Sequence, residues 1–252
     1  MRKNIILKGP ILTRSGYGEQ SRFALRALRS RPDLFNIFIQ PLQWGATSWV
    51  NDINEERQWI DDAIEKTIGF IQQGGKFDAS LQITVPNEFE NLAPLNIGYT
   101  AGIETTKVAP GWLQHSNNMN RLIVVSSHSK NVFENTVYRA VNEATGEELD
   151  YGLQVPVDVV NYPTKIFDNS EQAELNLDYD NNFLLISQYG PRKNIANTIK
   201  WFLSEFKDDE VGLVVKTNMA KNSIVDRTNT EAKFRKILAD INDDQTRKCK
   251  LY

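Results

Sequence analysis

Cysteine and histidine are nearly missing from this 252-residue chain, which holds one cysteine, Cys249, and two histidines. A single cysteine excludes an internal disulfide, and no Cys/His set has the spacing of metal ligands. Long apolar runs are absent too. Nowhere do 18 apolar residues follow one another, so no segment reads as a membrane-spanning helix. The opening, Met1–Gly9, has too short an apolar run for a signal peptide and reads as a first strand. An excess of one charge is also lacking: 29 Lys and Arg stand against 32 Asp and Glu, for a net charge of −3. The cations are scattered, whereas a nucleic-acid partner needs a concentrated basic face. These absences leave a soluble, cytoplasmic globular protein with no nucleic-acid partner as the expectation.

What is present is an alternation of strands and helices. Strands are expected at Asn4–Leu7, Ile37–Ile39, Ala79–Val85, Leu95–Thr100, Arg121–Ser126 and Val155–Val160. Helices are expected at Glu19–Arg29, at Asn54–Gln72 and, behind a serine cap, at Ser129–Val137. The second helix carries Ile60, Ile64, Ile68 and Ile71 on one stripe and is closed by Gly74-Gly75. Such alternation predicts an α/β fold with a parallel sheet covered on both faces.

Between Asp168 and Asn182 the composition turns to Asp, Asn, Glu and Ser. This divides the chain into an N-terminal domain over 1–170, a linker at 171–182 and a second unit over 183–252. The pattern restarts there with strand Phe183–Ile186, helix Ile195–Phe206, strand Val211–Val215 and helix Glu231–Ile241. Two strands in roughly 70 residues cover two amphipathic helices poorly. Lys248–Tyr252 reads as the run-in to a third strand, so the expectation is a chain cut inside its second domain.

Chemistry is expected where strands empty into loops, because ligands of open α/β sheets bind beyond the carboxyl ends of the strands. Strand Leu184–Ile186 runs into Ser187-Gln188-Tyr189-Gly190-Pro191-Arg192-Lys193-Asn194, and a helix follows. Arg192 and Lys193 lie at a helix start, where the dipole disfavours cations and favours an anion such as a diphosphate. Gly16 and Gly18 follow the first strand; they serve either a tight turn or close backbone approach to a phosphate. Glu104 lies just past a strand end, where by itself it reads as a helix-start or turn carboxylate. Trp112 reads as packing, and His115 and His128 as surface or helix-start residues.

Four segments together resemble glycosyltransferase family 4. They are Gly16-Tyr17-Gly18-Glu19, Glu104-Thr105-Thr106-Lys107-Val108-Ala109-Pro110-Gly111-Trp112, the strand and serine-started helix of Ile123–Phe133, and the Arg192-Lys193-Asn194 loop. They occur in the family's order over nearly the whole chain. Two departures stand out. Gln188 occupies the place where the family often has arginine, and the paired glutamates that end the family's donor domain are not in this sequence. The resemblance implies a GT-B fold of two Rossmann-like domains, the second incomplete here. It implies a retaining, hexosyltransferase-type enzyme of glycan or polysaccharide biosynthesis, inactive as 252 residues. The donor would be a nucleoside-diphosphate sugar and the acceptor a glycan, lipid-linked or protein hydroxyl, the lipid case with peripheral membrane association. No cofactor or metal is implied. Gly16, Gly18, Arg192 and Lys193 would hold the donor phosphates, and Glu104 would sit at the reacting centre. A non-catalytic nucleotide- or glycan-binding module and a nucleotide-sugar epimerase are the alternatives of the same fold.

Overall fold

The computed structural model describes residues 2–44, 47–141, 146–166, 174–241 and 246–252. The chain divides into two units, residues 1–45 with 49–165 and residues 46–48 with 166–252. The first unit is built on six parallel strands: β1 (Lys3–Gly9), β2 (Phe35–Pro41), β3 (Ala79–Ile83), β4 (Leu95–Thr100), β5 (Arg121–Val124) and β8 (Val157–Val159). Their order is β2-β1-β3-β4-β5-β8. It is a Rossmann-like α/β sheet flanked by helices, and its order reverses direction between β1 and β3.

Helix α1 (Gly16–Arg29) and helix α2 (Glu55–Gln72) bury Leu25, Ile60 and Ala63 against Leu7, Ile37 and Ile39 of the sheet. The inward line of α2 is Ile60, Ala63 and Thr67, while Ile68 and Ile71 are exposed. The stripe expected from sequence is therefore half right. The cause is that α2 serves the rim of the sheet as well as its face. Thr67 Oγ1 accepts from Ile39 N at 2.8 Å, and Lys66 Nζ donates to Ile37 O at 3.0 Å. Those bonds satisfy the outer edge of β2, which would otherwise be open to pairing.

One face of the sheet carries Lys8, Ser80, Gln82 and Asn96, all buried. Polar residues are unusual inside a parallel sheet, and here Lys8, Gln82 and Asn96 serve the irregular segment between β3 and β4, while Ser80 donates to Asn96 and accepts from Gln82. Gln82 exchanges hydrogen bonds with Glu90 N and O. Asn96 Oδ1 accepts from Leu92 N and Ala93 N at 3.0 and 3.1 Å. Lys8 Nζ donates to Glu88 O at 2.6 Å and pairs with Glu90 at 2.9 Å. A helix would have satisfied its own backbone; this segment has only a 3-10 turn at Pro86–Glu88, so the strands satisfy it.

Three elements were not anticipated. Helix α3 (Pro110–Asn117) starts on a proline. Strands β6 (Tyr138–Val141) and β7 (Glu148–Tyr151) pair as an antiparallel ribbon. Helix α4 runs over Ser127–Asn135, two residues earlier than expected, because Ser126 is the cap and accepts from Ser129 N. Helix α1 also begins early: Ser15 caps it by accepting from Gly18 N at 2.9 Å. Gly16 and Gly18 therefore lie in the first helical turn, not in a preceding glycine loop.

Arg22 of α1 holds the loop after β1, donating Nη1 to Ile11 O and Thr13 O at 2.6 and 2.9 Å. Its Nε and Nη2 bind Glu19 Oε2, and Lys165 Nζ lies 2.5 Å from Glu19 Oε1. Partial burial pushes the Glu19 carboxyl up, but hydrogen bonds and charge from Lys165 and Arg22 outweigh it and bring the pKa from 4.5 down to about 2. A depressed carboxyl adds stability that is complete above its ordinary value and lost as pH falls toward the folded one. Glu19→Gln should accordingly melt below the native protein at about pH 7, with the gap closing between pH 4.5 and about 2. A gap that stays constant through that window in thermal melts would contradict the assignment.

In the second unit β9 (Asn182–Ile186), β10 (Gly212–Lys216) and β11 (Lys250–Leu251) form a parallel sheet in the order β11-β10-β9. Helices α5 (Ile195–Glu205) and α6 (Ile224–Asp240) pack Ile199, Phe202, Leu203 and Ile237 against Leu213 and Cys249. Leu184 and Ile186 of β9 are exposed. The run-in at Lys248–Tyr252 does supply a strand, pairing Leu251 with Leu213. The division between units falls after Lys165, whereas the sequence expectation puts it at 170 with a linker at 171–182. Residues 167–173 lie outside the described set, and 174–181 holds no helix or strand.

Candidate functional site

In the first unit the candidate site lies at the carboxyl ends of β1, β3 and β4, where the strand order reverses. Tyr17, in the first turn of α1, reaches β4. Its hydroxyl lies 2.8 Å from Thr100 Oγ1 and accepts from Ala101 N at 3.0 Å. The Trp44 ring meets Tyr17 edge-on with centroids 5.0 Å apart. Its Nε1 donates to Glu88 Oε2 at 3.4 Å, and Thr84 Oγ1 donates to the same oxygen. Burial raises the Tyr17 pKa above 10.0 despite hydrogen bonds to its oxygen, and the charges of Glu88 and Glu104 add to the rise. Tyr162 is raised as well, by burial first and then by Tyr17 and Glu104. Two carboxylates and two phenols thus share one field.

Glu104 lies on the exposed loop between β4 and α3. Neighbouring bonds pin that loop: His128 Nε2 to Thr105 O at 3.2 Å, and Tyr138 Oη donating to Val108 O at 2.6 Å. Trp112 stacks on Phe133 in the core, the packing role expected of it. The two glycines part company. Gly18 is buried, and a Cβ there would lie 2.2 Å from Thr13 O, while Gly16 is exposed with open space beside it. Packing alone accounts for Gly18. Gly16 alone has room for a ligand.

In the second unit a polar cavity of about 280 Å³ opens at the carboxyl ends of β9 and β10. Ser187, Gln188, Lys216, Thr217 and Asn218 line it. The loops are set by Tyr189 N donating to Asn218 O at 2.8 Å and Gln188 Nε2 to Met219 O at 2.9 Å. Asp226 accepts from Ala220 N and Asn222 N, fixing Asn222 in the left-handed region. Thr217 Oγ1 is buried with no hydrogen-bond partner among the described residues. Such an orphan hydroxyl is costly unless something else supplies a partner.

Arg192 and Lys193 do not line this cavity. They occupy a separate exposed 3-10 turn, Pro191–Lys193, and Asn194 in the left-handed conformation links it to α5. Asn194 makes no side-chain cap. The expected tension between these cations and the helix dipole is therefore relieved, since both stand outside α5.

Sequence reasoning missed Tyr17, Trp44, Thr84, Glu88 and Tyr162 in the first unit. Glu88 carried the same signal as Glu104, a carboxylate just past a strand end. In the second unit it left Lys216 outside the candidate set, although Lys216 ends its strand at the cavity. Among the described residues no group of three or more His, Cys, Asp or Glu is placed to hold a metal ion, and no helix is long and apolar enough to cross a membrane. Comparison with known proteins finds no matching family model, no similar curated protein and no similar solved structure. The class defined is an α/β protein with a Rossmann-like parallel sheet.

Proposed function

We propose that the protein binds a nucleoside-diphosphate sugar and takes part in transferring the sugar to an acceptor hydroxyl, as a retaining glycosyltransferase of GT-B type. The observation that carries the reading is the polar cavity of the second unit. It joins a lysine, amides and an orphan hydroxyl at the carboxyl ends of two parallel strands, the place where such sheets take nucleotides. Lys216 would face the diphosphate there, with Arg192 and Lys193 on the following turn adding positive charge. Charge of that sign stabilises a departing diphosphate as its negative charge develops. In the first unit the Tyr17–Trp44–Glu88 cluster suits a polyol: aromatic faces pack on carbon, and the carboxylate accepts from hydroxyls.

Binding of UDP, GDP and ADP, free and sugar-linked, tests the reading by calorimetry on the 252-residue chain. One base should bind saturably. Lys216→Ala should weaken it roughly tenfold or more, the loss expected for a hydrogen bond to a charged group, and Lys193→Ala, outside the cavity, by less. No binding by any member of the series, or full affinity in both variants, would remove the nucleotide role.

A further inference from the structure

A second cavity, of about 360 Å³, lies in the first unit between the starts of α1 and α2. None of its lining residues belongs to the Tyr17 cluster or to the second unit. Five cations line it: Arg14, Arg22, Arg26, Arg57 and Lys165. Against them stand Asp52, Glu19 and Glu56 in the lining and Asp61 beside it, salt-bridged to Arg57, so the cluster carries an excess of one positive charge. The caps of both helices, Ser15 and Asn54, line it too. Two helix N-termini, each worth about half a positive charge, therefore border the same space.

We propose that this cavity binds a dianionic phosphate group carried by a small phosphorylated molecule. The excess positive charge and the two helix N-termini together favour an anion, and the volume lies in the range of small-molecule sites. Donors are in place. Arg57 spends Nε on Asp61 and Nη1 on Val50 O, and Arg14 spends Nε on Trp49 O and Nη2 on Asp52. Each keeps one guanidinium nitrogen, Nη2 of Arg57 and Nη1 of Arg14, with no acceptor among the described residues. Planar guanidinium groups suit phosphate oxygens. The lowered Glu19 pKa, about 2, reports the same positive field. The competing role is a brace: Arg26 binds both oxygens of Glu56 and so ties α1 to α2. A brace alone needs neither the open volume nor the surplus charge.

The test is calorimetric titration of the 252-residue chain with inorganic phosphate and with glucose 6-phosphate at constant ionic strength. Saturable one-to-one binding is expected near pH 7.5. For the sugar phosphate it should weaken about tenfold near pH 5, because the second pKa of a phosphate monoester is about 6. No histidine lines the cavity, so the ligand is what titrates across that interval. Arg57→Gln and Lys165→Gln should each weaken binding about tenfold, and Lys165→Gln should also lower the melt modestly because it removes a partner of Glu19. Arg14→Gln, at a more exposed position, provides the same readout if Arg57→Gln fails to fold. Tighter binding of the sugar phosphate would mark a phosphorylated metabolite, and equal binding would mark free phosphate; both support the site. No binding at millimolar phosphate, or native affinity in all three variants, would leave the cluster as a brace and overturn the proposal. Neither result bears on nucleotide binding by the second unit.

Discussion

Gly18→Ala is expected to destabilise the first unit by about 3 kcal/mol or more, at the upper end of what overpacking a tight site costs. Gly16→Ala, two residues away, should be neutral or stabilising by up to about 1 kcal/mol, since a methyl group there meets nothing and narrows the unfolded ensemble. The difference follows from geometry. An added Cβ at Gly18 would lie 2.2 Å from Thr13 O, 2.7 Å from Thr13 Oγ1 and 2.9 Å from Pro10 O. Two of those atoms are backbone, so nothing flexible can yield. Urea denaturation of the two variants measures both outcomes together. Similar midpoints would mean that the loop after β1 relaxes freely.

Arg22→Ala should cost roughly 2–4 kcal/mol. Arg22 is buried and holds the carbonyls of Ile11 and Thr13. Removing it leaves two buried acceptors unsatisfied, at about 1–3 kcal/mol each, partly offset by water entering the adjoining cavity. Arg22→Lys should recover little, because one ammonium cannot reproduce a fork that serves two carbonyls on one edge and Glu19 on the other. Urea midpoints of the three proteins decide it, and full rescue by lysine would show that charge matters there rather than shape.

The alternation of strands and helices was legible because each element carries its own period. Leu95–Thr100 was read to the residue, and Phe183–Ile186 to within one. The elements that escaped lack such a period. Helix α3 is short, with only Leu113 and Ser116 buried, and β6 and β7 are mostly exposed. The stripe on α2 was misjudged because isoleucine is apolar wherever it points, while the residue that binds the rim of β2 is Thr67. Lys8, Gln82 and Asn96 interrupt their strands as polar residues. Nothing local announces that they satisfy a segment elsewhere in the chain. At the candidate sites, the rule of looking beyond strand ends selected the loop after β9, and the family resemblance added Glu104. It did not weigh Glu88 and Lys216 equally, and it could not separate Gly16 from Gly18, because Thr13 approaches only one of them in space.

The first strand pays a delay for its central place in the sheet. Ile5 pairs with Ile37 on one side and with Ala79 on the other, so β1 lies between partners made well after it. At roughly 5–20 residues per second of synthesis, several seconds separate the emergence of Ile5-Ile6-Leu7 from that of β3. During that interval an apolar segment destined for full burial has no sheet to join. Hairpins cannot help, since all six strands run the same way and each pairing waits for a crossover. The nascent chain should therefore lean on chaperones early, and refolding in vitro should be slow and sensitive to protein concentration.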